Sequence, residues 1–289
     1  MTLKIILVGY DKMLYSLIEG IKQTNHKIIG VFRNDRIRYS PYELFFKDIF
    51  NPSKDYSVIK SNKLNDIKAT SVNSDKFIKE VKKLKPDLII VGSWGEKFKS
   101  EILSLVPCIN FHPALLPRNR GANPYFWSIY LNQKVSGLTI HFMDNKFDTG
   151  DIILQEAITI SDNETGATLK NKTTLLAKTM VQELLDLYEK NQIQPIKQNE
   201  EFASREPQIS EENVIIDLNK NKEDVARHLR ALFPWATPYI KVYRRFIPVK
   251  KYEILEDKEY KERCTGEIIE KNKKYFILKG LDFLIKIYK

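Results

Sequence analysis

The chain opens on an apolar run, Lys4 to Gly9, closed by glycine; Leu14, Leu17, Ile18 and Ile21 then recur at helical spacing, and His26 to Phe32 is apolar again. That order predicts strand, helix, strand. Farther on, Phe77, Val81 and Leu84 share one face of a helix that Pro86 ends, and the continuous apolar run Asp87 to Gly92 follows. Runs apolar at every position suit strands covered on both faces. Such strands, separated by helices, mark the parallel sheet of a doubly wound α/β domain. More sheet is predicted at Cys108 to Phe111, Leu138 to Met143 and Ile152 to Ile160. A long amphipathic helix runs from about Thr168 to Tyr188, with Leu169, Leu176, Met180, Leu184 and Leu187 on one face.

The period is then lost. Asn191 to Ser210 is polar, holds Pro195 and Pro207, and reads as a linker, which divides the chain into a large domain (1–190), a linker (191–210) and a small domain (211–289). In the small domain Val225, Leu229 and Leu232 form a short helix stopped by Pro234. Short alternating segments such as Gly266 to Glu270 and Tyr275 to Leu278 have the pattern of a small β-barrel.

Composition narrows the class. A chain of 289 residues can bury a full core, and a hydrophobic share of 43% with 29% charged residues is that of a globular protein, neither disordered nor membrane-embedded. The two cysteines, Cys108 and Cys264, make no disulfide framework, and the opening MTLKIILVGYDK is too short for an export signal or a membrane span, so a cytoplasmic setting is expected. A net charge of +10 allows a polyanionic partner, but Lys, Asn and Ile are all abundant, and charge alone does not decide the matter. Gly9 near the first turn invites a dinucleotide reading, yet GYDKML lacks the G-x-G-x-x-G pattern. No His/Cys cluster has metal-ligand spacing, so no metal is expected.

Chemistry concentrates in two stretches. In CINFHPALLPRNRGANPY a short strand ends in Asn110 and His112, and Pro113, Pro117 and Gly121 force an irregular loop. Period two puts Asn110 and His112 on one face, at a carboxyl strand end where open parallel sheets bind ligands. A carboxamide can donate to a developing oxyanion and an imidazole can move protons near neutral pH, a pairing suited to acyl transfer. In GLTIHFMDNKFDTGD a neighbouring strand ends in a turn bearing Asp144, Asp148 and Asp151, and Asp148 is the carboxylate expected to orient the histidine. Each element alone has a plainer reading: a histidine after a strand is often structural, and D-T-G-D is often only a turn. His141 reads as core or sheet surface, and His26 and His228 as surface residues. The combination carries the inference.

NFHPALLPRNRGANPY followed by GLTIHFMDNKFDTGDII resembles the signature of the folate-dependent formyltransferases, which include methionyl-tRNA, nucleotide-sugar and glycinamide ribonucleotide members. The resemblance implies a Rossmann-like formyltransferase domain with a small OB-like barrel after it. It makes Asn110, His112 and Asp148 the catalytic trio. Ala114 stands where the family usually has serine, outside the trio. The implied reaction is attack of an uncharged amine on the formyl carbon of 10-formyltetrahydrofolate, with the pterin against Ser93, Trp94 and Gly95 and against Met143, Asp144, Asn145 and Phe147. By the same resemblance Arg120, Gly121, Asn123 and Tyr125 would meet the acceptor.

Two acceptors fit. Initiator tRNA is suggested by Lys241, Arg244, Arg245, Lys250 and Lys251, interleaved with Tyr243 and Phe246, a set that could grip phosphates. A nucleotide-linked amino sugar is favoured by two departures from the tRNA enzymes. The Gly/Arg/Lys-rich loop after their second strand is here the glycine-free, aromatic RNDRIRYSPYELFFKDIFNPSKDY, where Tyr39, Tyr42, Phe45 and Phe46 are candidate apolar contacts. NPYFW (Asn123 to Trp127) also replaces their A-A-P-I. A non-catalytic folate- or partner-binding descendant of the fold is a third reading, which the intact trio opposes. A formate-releasing hydrolase would use the same trio but usually lacks the carboxyl-terminal domain. Oligomeric state is left open.

Overall fold

The computed structural model describes every residue but Pro234 and Trp235, and every side chain but those two and Pro41 and Phe45. The helix stop expected at Pro234 and the contact expected of Phe45 therefore lie outside the described residues. In chain order the elements are β1 (Lys4–Gly9), α1 (Asp11–Ile21), β2 (Lys27–Arg33), α2 (Asp35–Arg38), α3 (Pro41–Phe50), α4 (Lys54–Ser61), α5 (Asp75–Leu84), β3 (Leu88–Gly92), α6 (Ser100–Leu103), β4 (Cys108–His112), β5 (Arg120–Gly121), α7 (Pro124–Tyr130), β6 (Val135–Phe142), β7 (Ile152–Thr159), α8 (Gly166–Glu189), β8 (Arg205–Glu206), β9 (Ile215–Ile216), α9 (Lys222–Leu232), β10 (Tyr239–Val242), β11 (Arg245–Pro248), β12 (Tyr252–Glu256), β13 (Ile268–Lys271), β14 (Tyr275–Lys279) and β15 (Phe283–Tyr288). Contacts divide the chain into two compact units: Met1–Gly121, Ser136–Ile158 and Asn171–Arg205 form the first, and Ala122–Val135, Thr159–Lys170 and Glu206–Lys289 the second.

The first unit is built on a six-stranded sheet in the order β2-β1-β3-β4-β6-β7, parallel from β2 to β4 and antiparallel between β4 and β6. Its all-apolar strands divide their side chains between two cores. Ile5, Leu7, Leu88 and Ile90 point to one with Leu14, Leu17 and Ile18 of α1 and Val181 and Leu184 of α8; Ile6, Val8, Ile89 and Val91 point to the other with Phe77, Ile78 and Val81 of α5. This is why the strands show no polar alternation: both faces are covered. Leu17 is fully buried, and truncating it to Ala would cost about 2–5 kcal/mol. The carboxyl ends of β1 and β3 meet at Gly9 and Gly92, where a Cβ on Gly9 would stand 2.3 Å from the Gly92 carbonyl oxygen.

The stretch after β2, which periodicity left without an element, folds into α2, α3 and α4. Ser40 and Glu43 form a capping box at the start of α3, and the Ser53 hydroxyl accepts from the Tyr56 N–H at the start of α4. Fully buried Arg33 at the end of β2 anchors it, donating to Asp35 (2.8 Å), to Asp48 and to Asp66 (3.2 Å).

The second unit carries the three-stranded sheet β11-β10-β9 and the four-stranded sheet β12-β15-β14-β13. Val225, Leu229 and Leu232 of α9 are buried, as their spacing predicts, and so are Ile240, Leu278, Phe283, Ile285 and Ile287 on alternate strand positions. Two histidines expected on the surface are packed away. The His228 ring bonds the Asn213 carbonyl (2.7 Å) and lies 4.8 Å from the Tyr130 ring; in the first unit the His26 side chain is 4% exposed and its Nδ1 accepts the Leu3 N–H. The alternation rules cannot see such a fate, because a ring nitrogen satisfied by backbone is cheap to bury. Among the described residues no helix is long and apolar enough to cross a membrane.

Candidate active site

Strand β4 delivers Asn110 and His112 to its carboxyl end, and the antiparallel register places His141 of β6 opposite Asn110 and Thr139 opposite His112. The loop after β4 is tied down. Thr139 Oγ1 donates to the Ala114 carbonyl (2.6 Å) and accepts from the Leu116 N–H (3.1 Å), and Ala114 is fully buried. The position where the family usually has serine is thus a packing position here.

His112 is 4% exposed. Its Nε2 lies 2.8 Å from the Asn119 carbonyl oxygen, which can only accept, so Nε2 carries hydrogen. The lone pair of the neutral ring is therefore on Nδ1, which faces Asp148 Oδ1 at 3.5 Å. Burial pushes the imidazole below its ordinary value of 6.5, outweighing the upward pull of the Asp148 carboxylate and the Asn119 bond. For Asp148 the balance is reversed. Burial alone would raise it, but the His112 and His141 rings beside it and the Gly121 N–H hold it well below the usual carboxylate range. The pair is a neutral base beside a fixed anion.

Asp148 sits at φ +59°, a left-handed conformation that costs a non-glycine residue about 1–3 kcal/mol. Several bonds impose it. Gly121 N–H donates to Oδ2 (2.8 Å), Asn110 Nδ2 donates to Oδ1 (3.3 Å), and Gln198 Nε2 donates to the main-chain carbonyls of Asp148 (3.0 Å) and Gly150 (2.7 Å). Gln198 is itself held by Arg120, whose Nε and Nη2 donate to its Oε1 at 3.0 and 2.8 Å while the same guanidinium meets Glu200. Gly150 completes the turn: a Cβ there would lie 1.9 Å from the Phe142 carbonyl oxygen. Asn110 also donates to His141 Nε2 (3.2 Å), and His141 Nδ1 bonds the Phe142 carbonyl (2.7 Å), so the carboxamide is fixed from two sides.

Of the other expected site residues, Ser93, Trp94 and Gly95 follow β3 directly. Ser93 is left-handed (φ +58°), the half-buried Trp94 ring lies 5.3 Å from Phe32, and Gly95 is exposed with open space around it. Trp94 Nε1 is buried without a hydrogen-bond partner among the described residues, a donor suited to a ligand acceptor. Met143 packs on the same core cluster as Trp94, whereas Asp144, Asn145 and Phe147 are exposed. Asp144 binds its own turn through the Lys146 N–H (2.9 Å) and the Thr149 hydroxyl (2.7 Å). Arg120 and Gly121 join the Asp148 network, while Asn123, the left-handed cap of α7, and buried Tyr125 belong to the second unit. Sequence reasoning did not single out Asn119, Gln198 or Arg205, which donates to the Phe147 carbonyl (2.7 Å), and it read His141 as structural. Only His141 carried a signal, by standing on the strand that leads to Asp148.

Residues 3–185 match the family described as formyl transferase, and residues 208–289 match the formyl transferase C-terminal domain. The chain belongs to the formyl transferase family. Over 287 residues this formyltransferase is 27% identical to the methionyl-tRNA formyltransferase of Ruminiclostridium cellulolyticum, covering 99% of this chain and 90% of that one. Among solved structures, the N-formyltransferase from Helicobacter canadensis in complex with folinic acid and dTDP-3-aminofucose has a TM-score of 0.68 at 18% identity, with 100% of both chains covered. HypX from Aquifex aeolicus, in complex with tetrahydrofolic acid, has a TM-score of 0.70 at 16% identity; 99% of this formyltransferase covers 44% of that chain, less than half its length. At those identities the two structures establish the shared fold. The formyltransferase is an enzyme of one-carbon group transfer.

Proposed function

We propose that the enzyme moves the formyl group of 10-formyltetrahydrofolate onto the primary amine of a nucleotide-linked amino sugar, with Asn110, His112 and Asp148 as its catalytic residues. The observation that carries the reaction is the His112 tautomer. With Nε2–H committed to Asn119, Nδ1 is the basic atom, and it can take a proton from the amine as nitrogen attacks the formyl carbon. The resulting imidazolium is stabilised by Asp148, already ionised 3.5 Å away. The Asn110 amide, which donates to Asp148 and His141 in the resting enzyme, exchanges one of those bonds for the oxyanion of the tetrahedral intermediate. Collapse of that intermediate expels the folate nitrogen, which takes a proton, and leaves the formamide. Trp94 with its unpartnered Nε1, the Ser93–Gly95 turn and the Met143 to Phe147 loop would hold the pterin.

A small acceptor is supported by the segment after β2, which is a capped helical insert rather than a glycine- and lysine-rich loop, and by the aromatic NPYFW at the start of α7. The structural likeness to an enzyme crystallised with dTDP-3-aminofucose agrees with it. One set of observations favours initiator tRNA instead: the sequence relatives are methionyl-tRNA formyltransferases, and Tyr243 (77% exposed) and Phe246 (53% exposed) stand among exposed Lys241, Arg244 and Arg245 on the β10–β11 hairpin. The test is release of tetrahydrofolate from 10-formyltetrahydrofolate with charged initiator tRNA and, separately, with nucleotide-linked 3-amino and 4-amino sugars. Turnover with a sugar and none with tRNA is expected. Turnover with tRNA alone overturns the acceptor, and silence with both overturns the catalytic reading.

A further inference from the structure

Beside the edge strand β2, a cavity of about 750 Å³ opens between α3, α4 and the segment from Asn65 to Lys76. Its lining contains none of the residues assigned to formyl transfer. In the sheet order β2-β1-β3-β4 it lies three strands from the trio, which at the usual spacing is about 14 Å or more. The volume is that of a site for a nucleotide-sized molecule.

The lining has three kinds of group. Lys60, Lys63, Lys68 and Lys76 line it, and none of the four is in an ion pair with a carboxylate of the described residues. Tyr39 and Tyr56 supply two aromatic rings, the second already flanked by the Arg33 guanidinium at 4.8 Å. Asp48 contributes a carboxylate with one oxygen bonded to Arg33 and the other, Oδ1, buried without a hydrogen-bond partner among the described residues. A buried acceptor left unmatched keeps its full desolvation penalty, so it calls for a donor. Excess positive charge, ring faces and one unmatched acceptor together describe a ligand with phosphates, a flat ring and a hydroxyl or amino group.

We propose that this cavity is a second ligand site, separate from the formyl-transfer centre, that binds a nucleoside diphosphate. The phosphates meet the lysines, the base lies against Tyr39 and Tyr56, and a ribose hydroxyl or base amino group donates to Asp48 Oδ1. Ring contact of this kind tolerates any base, and the phosphate contacts make affinity fall with salt. The site is independent of the formyl acceptor, whichever amine that is.

The test is calorimetric titration of the full chain with UDP, dTDP and inorganic pyrophosphate, repeated on the surface variant Lys60→Glu/Lys63→Glu and on Asp48→Asn. Saturable binding of a nucleoside diphosphate, weakened at least tenfold by the lysine pair with formyl-transfer kcat unchanged, is expected. Asp48→Asn should also weaken it, and circular dichroism separates that loss from misfolding. Binding that the lysine pair leaves intact places the nucleotide elsewhere and overturns the site. Pyrophosphate binding as tightly as UDP overturns the nucleotide assignment, and no binding by any of the three overturns the proposal outright. Failure of the sugar as formyl acceptor would leave each of these readouts unchanged.

Discussion

The β4–β6 end of the central sheet and its β2 edge are both rich in charge, but they are organised in opposite ways. Around Asp148 the polar atoms are matched: the Asn119 carbonyl to His112, the Gly121 N–H to the carboxylate, the Gln198 side chain to the carbonyls of the turn, and the Phe142 carbonyl to His141. Around β2 the buried Arg33 gathers Asp35, Asp48 and Asp66, yet one Asp48 oxygen is unmatched, and Tyr42, Ile49 and Phe50 of α3 are 74%, 55% and 78% exposed. On the proposed reading, the first region holds its reacting geometry in place before substrate arrives. The second presents a capped, adaptable insert whose apolar and cationic groups have surface to spare. Preorganisation near the trio suits a reacting centre, and unmatched, exposed groups at β2 suit the separate ligand site proposed there.

If the Asp148 region is preorganised, disturbing it should cost activity out of proportion to stability. Asp148→Asn removes the anion that stabilises imidazolium and should lower kcat by about 10³-fold or more while leaving the far-ultraviolet spectrum intact. A loss below tenfold would show that the carboxylate is structural. Gly150→Ala forces a Cβ against the Phe142 carbonyl, so the turn must move; the expected cost is about 1–3 kcal/mol in urea unfolding together with lost turnover. Gln198→Ala frees the Asp148 and Gly150 carbonyls and should reduce kcat by about 10- to 100-fold with KM little changed, since Gln198 acts through the turn. A KM effect alone would refute that positioning role. At the other end, Tyr42→Ser and Phe50→Ser replace exposed side chains and should change stability by no more than about 0.5 kcal/mol.

The same contrast appears in pH. His112 has a folded-state value below 6.5, so between the two values the unfolded chain binds a proton that the folded chain does not. Its contribution to stability is full above pH 6.5 and is lost as pH falls through the lowered value, and Asp148 acts in the same sense in more acid solution. The acid limb of kcat/KM for the free enzyme should accordingly lie below pH 6.5 and vanish in a His112 variant.

The sheet was legible because apolar runs and helical spacing state their own geometry: β1 is found at the residues the pattern marks, Lys4–Gly9, and α8 extends the expected helix by a residue or two at each end. Asn110, His112 and Asp148 were legible because they stand at strand ends in a recognisable pattern, and the structure brings them within hydrogen-bond or ion-pair reach. His141 is buried, as one of its two expected placements had it, but its contact with Asn110 depends on which strand lies beside β4, a pairing no local pattern contains. Gln198 and Arg120 meet across 78 residues of chain, in a polar stretch without periodicity. The α3 and α4 caps, Ser40 with Glu43 and Ser53, were written in the sequence as helix starts; the aromatic content of that stretch drew attention to surfaces instead.

The most direct test is steady-state formyl transfer by the wild-type enzyme and by His112→Ala and His112→Asn, following tetrahydrofolate release with the acceptor that turns over, alongside urea unfolding of all three. The account predicts at least about a 10³-fold fall in kcat for both variants, each of which still folds cooperatively. Turnover within a few-fold of wild type in either folded variant would contradict it.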